Sequence, residues 1–339
     1  MDILFFLLFL LCVIALITGL INPNLVIRWG SPSKRNRKKV LKIYVTVLIL
    51  IYIIFSSSID TFDSTEELPE APNSFESNEA GTDNLEVHFI DVGQADSILI
   101  TTGSDAMLID AGENEDGDLV VDYIKSLGIS DLDYVIGTHP HEDHIGGLDD
   151  VINTFDVGKV LMPKKESTTK TFEDVLLSIQ NKGLRVTTPK VGAKYNLGQA
   201  EWTILAPSQE YEETNNSSIV IRLIFGDDTF MFTGDAEEKS EKEILKTGDL
   251  NSDLLKVGHH GSISSTSIDF LKQVKPTYAV ISVGKDNRYG HPHKEIIERL
   301  TEQNVEILRT DELGTIILTS DGNDLSYEII KNSENVTNQ

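Results

Sequence analysis

The sequence predicts an α/β domain of two β-sheets packed face to face and covered by helices, carried behind a membrane hairpin and an acidic linker. Three observations carry this. After residue 84, short apolar strands cluster at both ends of the region, with helical stretches between them. In the first 55 residues, two long apolar runs flank a basic loop. Between these regions lies a stretch with eight acids and no lysine or arginine.

Residues 3–21 are almost wholly apolar, long enough for a bilayer span of ~20 residues. Arg28, Lys34, Arg35, Arg37, Lys38 and Lys39 follow, and residues 40–55 form a second apolar run with Lys42 near its start. Lys42 can snorkel to the headgroups. The basic loop predicts a cytoplasmic side and places everything after residue 55 outside the cell membrane. The basic residues follow the first run rather than precede it, which argues against a cleaved signal peptide. Residues 56–84 carry Asp60, Asp63, Glu66, Glu67, Glu70, Glu76, Glu79 and Asp83, with Pro69 and Pro72. Such a segment buries too little to fold and reads as a disordered tether. The formal net charge of −25 argues against a passive nucleic-acid-binding module. It leaves room for an enzyme that meets a phosphodiester at a metal centre. The single cysteine, Cys12, excludes an intramolecular disulfide and a cysteine-rich zinc site.

The domain is expected to run over residues 85–332, with a tail at 333–339. Strands are predicted at 85–92, 97–101 and 106–110, separated by Asn/Gly/Asp/Ser turns. A helix at 118–127 stops at Gly128. The apolar run from Tyr134 is a buried strand, and a helix begins at Leu148. A strand at 159–162 and a helix at 171–182 ending at Gly183 follow. Further strands are predicted at 185–187, 200–205, 218–225, 229–233, 252–257, 278–283, 306–308, 314–319 and 325–330. Helices are predicted at 236–246, 267–274 and 293–302.

The chemistry concentrates in Thr138-His139-Pro140-His141-Glu142-Asp143-His144-Ile145-Gly146-Gly147, a strand-to-helix turn. Three of only eight histidines in 339 residues fall here. His139 and His141, two apart, share one side of an extended backbone. Asp143 and His144 follow the turn and can face a second point nearby. Imidazole and carboxylate suit zinc and its divalent neighbours, and two adjacent points suggest two ions.

Four further stretches are candidates. Asp235, after the strand ending at Thr233, could bridge two metals or cap the next helix. Lys256-Val257-Gly258-His259-His260-Gly261-Ser262 ends a buried strand and offers rings to a metal or a leaving group. Lys256 in that strand either points into the site or reaches the surface. Asn287-Arg288-Tyr289-Gly290-His291-Pro292-His293 is a polar loop with groups that could grip a phosphate. Asn215-Asn216-Ser217-Ser218 reads, by itself, as a turn.

Together these stretches resemble the metallo-β-lactamase fold superfamily, whose His-x-His-x-Asp-His motif is matched by His139, His141, Asp143 and His144. Residues 85 to about 332 resemble one branch, the hydrolase domain attached to the DNA-uptake protein ComEC. The matching pieces include Phe89 to Asp96, Ile109-Asp110-Ala111-Gly112, Thr233-Gly234-Asp235 and Gly284 to Pro292. The resemblance implies an αββα sandwich with two divalent ions, Zn or Mn, at the sheet edges. It implies His139, His141 and Asp235 on one ion, and Asp143, His144, Asp235 and His260 on the other. It further implies His259 or Lys256 as proton donor to the leaving group, and Asp143 as indispensable to catalysis. Asn216, Ser217 and His291 would position substrate, and Asp110 would orient a ligand histidine. The chain departs from the superfamily in having no histidine between His144 and His259. Either His259 or His260 could complete the poorer site, with the resemblance favouring His260. The implied substrate is a phosphodiester, DNA first, with a cell-envelope polymer of the teichoic acid type as the alternative. A non-catalytic partner of a DNA-uptake channel is the reading from another class.

Overall fold

The computed structural model describes Thr18 and residues 84–330. The predicted spans at 3–21 and 40–55, the linker and the tail lie outside the described residues, apart from Thr18 and Asn84. Among the described residues, no helix is long and apolar enough to cross a membrane.

The chain begins one sheet with β1 (Leu85–Phe89), β2 (Ser97–Thr102) and β3 (Asp105–Ala111), paired antiparallel. It adds β4 (Asp131–Ile136), β5 (Asp156–Leu161) and β6 (Val186–Thr187) in parallel. The helices of this half are α1 (Gly117–Ser126), α2 (Glu142–Ile145), α3 (Leu148–Thr154) and α4 (Lys170–Asn181). A second sheet follows: β7 (Lys194–Leu197), β8 (Ala200–Ala206), β9 (Val220–Phe225) and β10 (Asp228–Phe232) run antiparallel. Then β11 (Leu254–Lys256), β12 (Tyr278–Ile281) and β13 (Glu306–Arg309) extend it in parallel. Between them lie α5 (Glu238–Ile244), α6 (Ile268–Val274) and α7 (Lys294–Glu302). A short α8 (Thr310–Leu313) leads back to β14 (Thr315–Ser320) and β15 (Leu325–Ile330), which rejoin the first sheet beside β1.

The predicted layers are present. Phe89, Ile98 and Ile100 of one sheet pack against Trp202, Phe230 and Phe232 of the other, all buried. Each such side chain contributes about 1.5–3 kcal/mol on burial. Val120 and Ile124 of α1, Leu148 and Val151 of α3 and Val175 of α4 cover one outer face. Ile244, Phe270, Leu271, Ile296 and Leu300 cover the other. Two helices, α4 and α6, start at a side-chain cap: the Thr169 hydroxyl accepts from the Phe172 N–H at 3.3 Å, and Ser267 does the same for Phe270 at 3.4 Å.

Several boundaries differ from expectation. β1 ends at Phe89 rather than residue 92, because the Asp91 N–H leaves the ladder for the Thr315 hydroxyl, 3.0 Å away. β9 begins at Val220 rather than 218, since Asn215–Ser217 closes a 3₁₀ turn first. β7 was not anticipated: it is four residues long, and only Leu197 is fully buried. The parallel pairings align the carboxyl ends of β3 and β4, and of β10, β11 and β12. The candidate residues leave the sheets from these ends, the usual place for a site in such sheets.

Candidate metal centre

Asp110, next to last in β3, takes a left-handed conformation, φ 59°. That turn aims its carboxylate at the loop after β4. Oδ1 accepts from the Thr138 N–H at 2.7 Å, and Oδ2 accepts from the Thr138 hydroxyl at 2.7 Å. His144 Nδ1 donates to the same Oδ2 at 2.7 Å. This leaves His144 Nε2 facing inward. His139 is fully buried, with Nδ1 3.2 Å from Thr138 Oγ1 and 3.3 Å from Ser218 Oγ. Its Nε2 lies 2.9 Å from His141 Nδ1 and 3.8 Å from Asp235 Oδ2.

The second sheet supplies the opposite wall. The Asp235 N–H donates to Ser218 Oγ at 3.1 Å, and the carboxylate reaches to 3.3 Å from His144 Nε2. His259 and His260 are consecutive left-handed residues, φ 50° and 52°. This backbone costs roughly 1–3 kcal/mol per residue. It is held by a bond from the His259 N–H to the Gly234 carbonyl (3.2 Å) and one from the Ser262 N–H to the His259 carbonyl (2.8 Å). The two rings consequently diverge. His260 is buried and donates from Nδ1 to the Ser282 carbonyl at 2.9 Å. A carbonyl can only accept, so Nε2 carries the lone pair of the neutral ring. That Nε2 lies 3.4 Å from Asp143 Oδ2 and 3.8 Å from Asp235 Oδ1. His259, 24% exposed, has Nε2 3.6 Å from Asp235 Oδ2 and Nδ1 3.5 Å from Glu237 Oε1.

Among the described residues, three groups of ligand atoms lie within 4.8 Å of one another: His139 with His144 and Asp235, Asp143 with His144 and His260, and Asp96 with Asp110 and His144. His144 Nε2, His260 Nε2 and Asp235 Oδ1 are buried without hydrogen-bond partners among the described residues. Each such orphan costs about 1–3 kcal/mol. Three of them converging, with nitrogen and oxygen donors only, fit a divalent ion such as zinc or manganese. The charges agree. Burial opposes ionisation of His144, yet Asp235, Asp110 and Asp143 hold its pKa well above the usual value. Burial likewise opposes a charge on His260, and Asp235 and Asp96 raise it. Asp143 is driven below the usual carboxylate range by His144 and His260 against its own burial. His139 is pushed well down, by burial and then by His144.

Above these atoms opens a cavity of about 360 Å³. Its wall includes His141, Asp143, Asp235, His259, His260 and His291, all expected from the sequence. Three residues predicted to protonate the leaving group or to position substrate are not brought there. Lys256 is fully buried, its Nζ 2.5 Å from Asp96 Oδ2, and is not placed to meet a leaving group. Asn216 is buried and spent on α5: its amide donates to Glu237 Oε2 at 3.1 Å and its carbonyl accepts from the Ser240 N–H at 3.0 Å. Ser217 lines a separate hollow with Pro163 and Pro207. Asn215, rather than Asn216, reaches His259, with Nδ2 3.3 Å from Nδ1. Sequence reasoning missed Gln94, Glu142 and Tyr289 on the cavity wall. It also missed Asp96, Ser218, Glu237 and Ser282 behind it. Glu237 alone carried a signal, an acid two residues after Asp235.

Residues 90–285 match the Metallo-beta-lactamase superfamily. The chain is 33% identical over 251 residues to ComE operon protein 3 of Bacillus subtilis (strain 168), covering 68% of this chain and 32% of that protein. It is 30% identical over 238 residues to Competence protein ComA of Neisseria gonorrhoeae, covering 67% and 31%. Among solved structures, the metallo-beta-lactamase fold protein YhfI from Bacillus subtilis aligns with a TM-score of 0.49 at 15% identity, over 70% of this chain and 100% of that one. The chain spans about a third of the length of the curated relatives it matches. By its matched residues, its two stacked sheets and the histidine and aspartate groups at their edge, the chain belongs to the metallo-beta-lactamase superfamily.

Proposed function

We propose that this chain is a metal-dependent phosphodiesterase acting on DNA, anchored by its N-terminal apolar runs with the domain outside the cell membrane. The observation that carries the reading is the convergence of His144 Nε2 and His260 Nε2 on Asp235 Oδ1, 3.3 and 3.8 Å away, all three buried without hydrogen-bond partners among the described residues, beside a cavity that Asp235 and His260 line. The competence names of the relatives favour DNA, and the apolar runs flanking the basic loop favour the anchor.

His139, His141 and Asp235 would hold one divalent ion, zinc or manganese. Asp143, His144, Asp235 and His260 would hold the other. Bound ions of this kind supply positive charge for phosphoryl oxygens and make a water acidic enough to attack near neutral pH. The protein's own part is orientation. Asp110 and Thr138 fix the His144 ring, and the Ser282 carbonyl fixes His260. His259 stands at the cavity wall beside Asp235 and can return a proton to the leaving oxygen. His291, on the same wall, borders the substrate.

The test uses the full chain, stripped of metal and reloaded with zinc or manganese, on bis-p-nitrophenyl phosphate, plasmid and single-stranded DNA. Cleavage of all three, lost in Asp143→Ala, supports the reading. Cleavage of the small diester alone redirects it to envelope polymers. Stoichiometric metal with no cleavage of any substrate overturns it in favour of a binding role beside a DNA-uptake channel.

A further inference from the structure

The loop after β12 presents an aromatic surface at the cavity mouth. Tyr289 lines the cavity and is 50% exposed. Its ring lies 23° from parallel to His291, centroids 5.6 Å apart, and His291 meets His259 edge-on at 5.6 Å. Arg288, exposed, lies over the tyrosine ring, with Cζ 4.9 Å from the ring centroid and Nη2 donating to the hydroxyl at 2.7 Å. The loop is rigidly built. The Asn287 amide donates to the carbonyls of Gly284 (2.9 Å) and His291 (2.6 Å), and its oxygen accepts from the N–H groups of Tyr289 (3.2 Å) and His291 (3.0 Å). Asn287 is therefore spent on the backbone, and beyond it the loop exposes the Tyr289 ring and the Arg288 guanidinium, with Lys285 and Asp286 exposed before it.

No lysine or arginine lines the cavity itself among the described residues. Affinity for a polyanion has to come from something other than a basic track. A planar, sequence-tolerant stacking surface beside a single cation is the arrangement that holds an unpaired nucleobase and its phosphate. A polyol phosphate offers no flat π-face to such a surface.

We propose that Tyr289 and Arg288 form a nucleobase platform. Arg288 swings off the tyrosine ring to the phosphate next to the scissile one, and an unstacked base takes its place on the ring. This rests on the phosphodiesterase reading and narrows its substrate to nucleic acid with bases free to stack, single strands before duplex.

The experiment compares oligothymidylate with an abasic deoxyribose-phosphate oligomer of equal length, cleaved by the metal-loaded full chain. The wild type is expected to favour the base-bearing oligomer by ~10-fold or more in KM, the size of one base–aromatic stack. In Tyr289→Ala that ratio falls to near one, and Tyr289→Phe restores it. In parallel, Tyr289→Trp in metal-free protein adds an exposed indole to the chain's own Trp29 and Trp202, and the emission it adds over the wild type should be quenched by oligothymidylate and not by the abasic oligomer. Equal KM for the two oligomers in the wild type overturns the platform and leaves the phosphodiesterase intact. Base-dependent quenching without cleavage of either oligomer keeps the platform and removes the phosphodiesterase.

Discussion

Lys256 and Asp96 form an ion pair sealed beneath the cavity, Nζ 2.5 Å from Oδ2, with neither side chain more than 1% exposed. The other Asp96 oxygen lies 3.4 Å from His260 Nδ1. Removing one partner strands a charge where water cannot reach it. Lys256→Met is expected to lower stability by about 3–5 kcal/mol, read from urea midpoints. Asp96→Asn with Lys256→Met should recover part of that loss. A double variant at least as unstable as the single one would show that the pairing is not the source.

Asp110 touches no cavity atom, yet it carries His144. Asp110→Asn weakens that bond and frees the ring to turn. Zinc affinity, titrated against a chromophoric chelator, should fall by ~10–100-fold, the usual effect of losing such a partner, while the circular dichroism spectrum is retained. Unchanged affinity would leave Asp110 with a folding role only.

His88 sets an acid limit on stability away from the site. It is buried on β1, its Nδ1 2.9 Å from the Tyr123 hydroxyl, and burial pushes its pKa down from 6.5 to about 4. Below pH 6.5 the unfolded chain binds a proton that the folded chain refuses. Stability contributed by the neutral ring is therefore present above 6.5 and lost as pH falls toward 4, by up to about 3 kcal/mol. Urea midpoints at pH 7 and pH 5 should differ less in His88→Leu than in the wild type. Equal differences would place the acid sensitivity elsewhere.

Gly261 has φ +85°, and a Cβ there would stand 2.5 Å from Pro292 Cβ. Gly261→Ala must push apart the loops that carry His260 and His291. We expect a loss of at least about 1 kcal/mol together with less metal bound per chain, by thermal melting and elemental analysis. Full metal content in a destabilised variant would separate the fold of this loop from its ligand geometry.

The centre was legible where neighbours in sequence are neighbours in space. His139, His141, Asp143 and His144 arrive on one turn, and Asp235 and His260 each follow an apolar strand. Lys256 was not legible, because its partner Asp96 comes from the other sheet and a charge in an apolar strand has no sign of direction. Asn216 and Ser217 were placed at the substrate by resemblance, but the start of α5 claims the Asn216 side chain. Tyr289 was legible as a polar-loop residue only; its stack on His291 exists because Asn287 folds the loop back on itself. The sheet order was predicted only as far as two layers, since the return of β14 to β1 is a pairing across most of the domain.

Among the described residues, the cavity wall has Glu142, Asp143 and Asp235 but neither lysine nor arginine. Under the proposed function, this makes substrate affinity a property of two ligands rather than one. An anionic strand entering the bare protein meets carboxylates, and entering the loaded one meets cations. The two binding equilibria are thermodynamically linked, each strengthening the other by the same factor. A fall in available metal would then weaken the hold on the substrate as well as stop the reaction, and a saturating strand would in turn retain the ions.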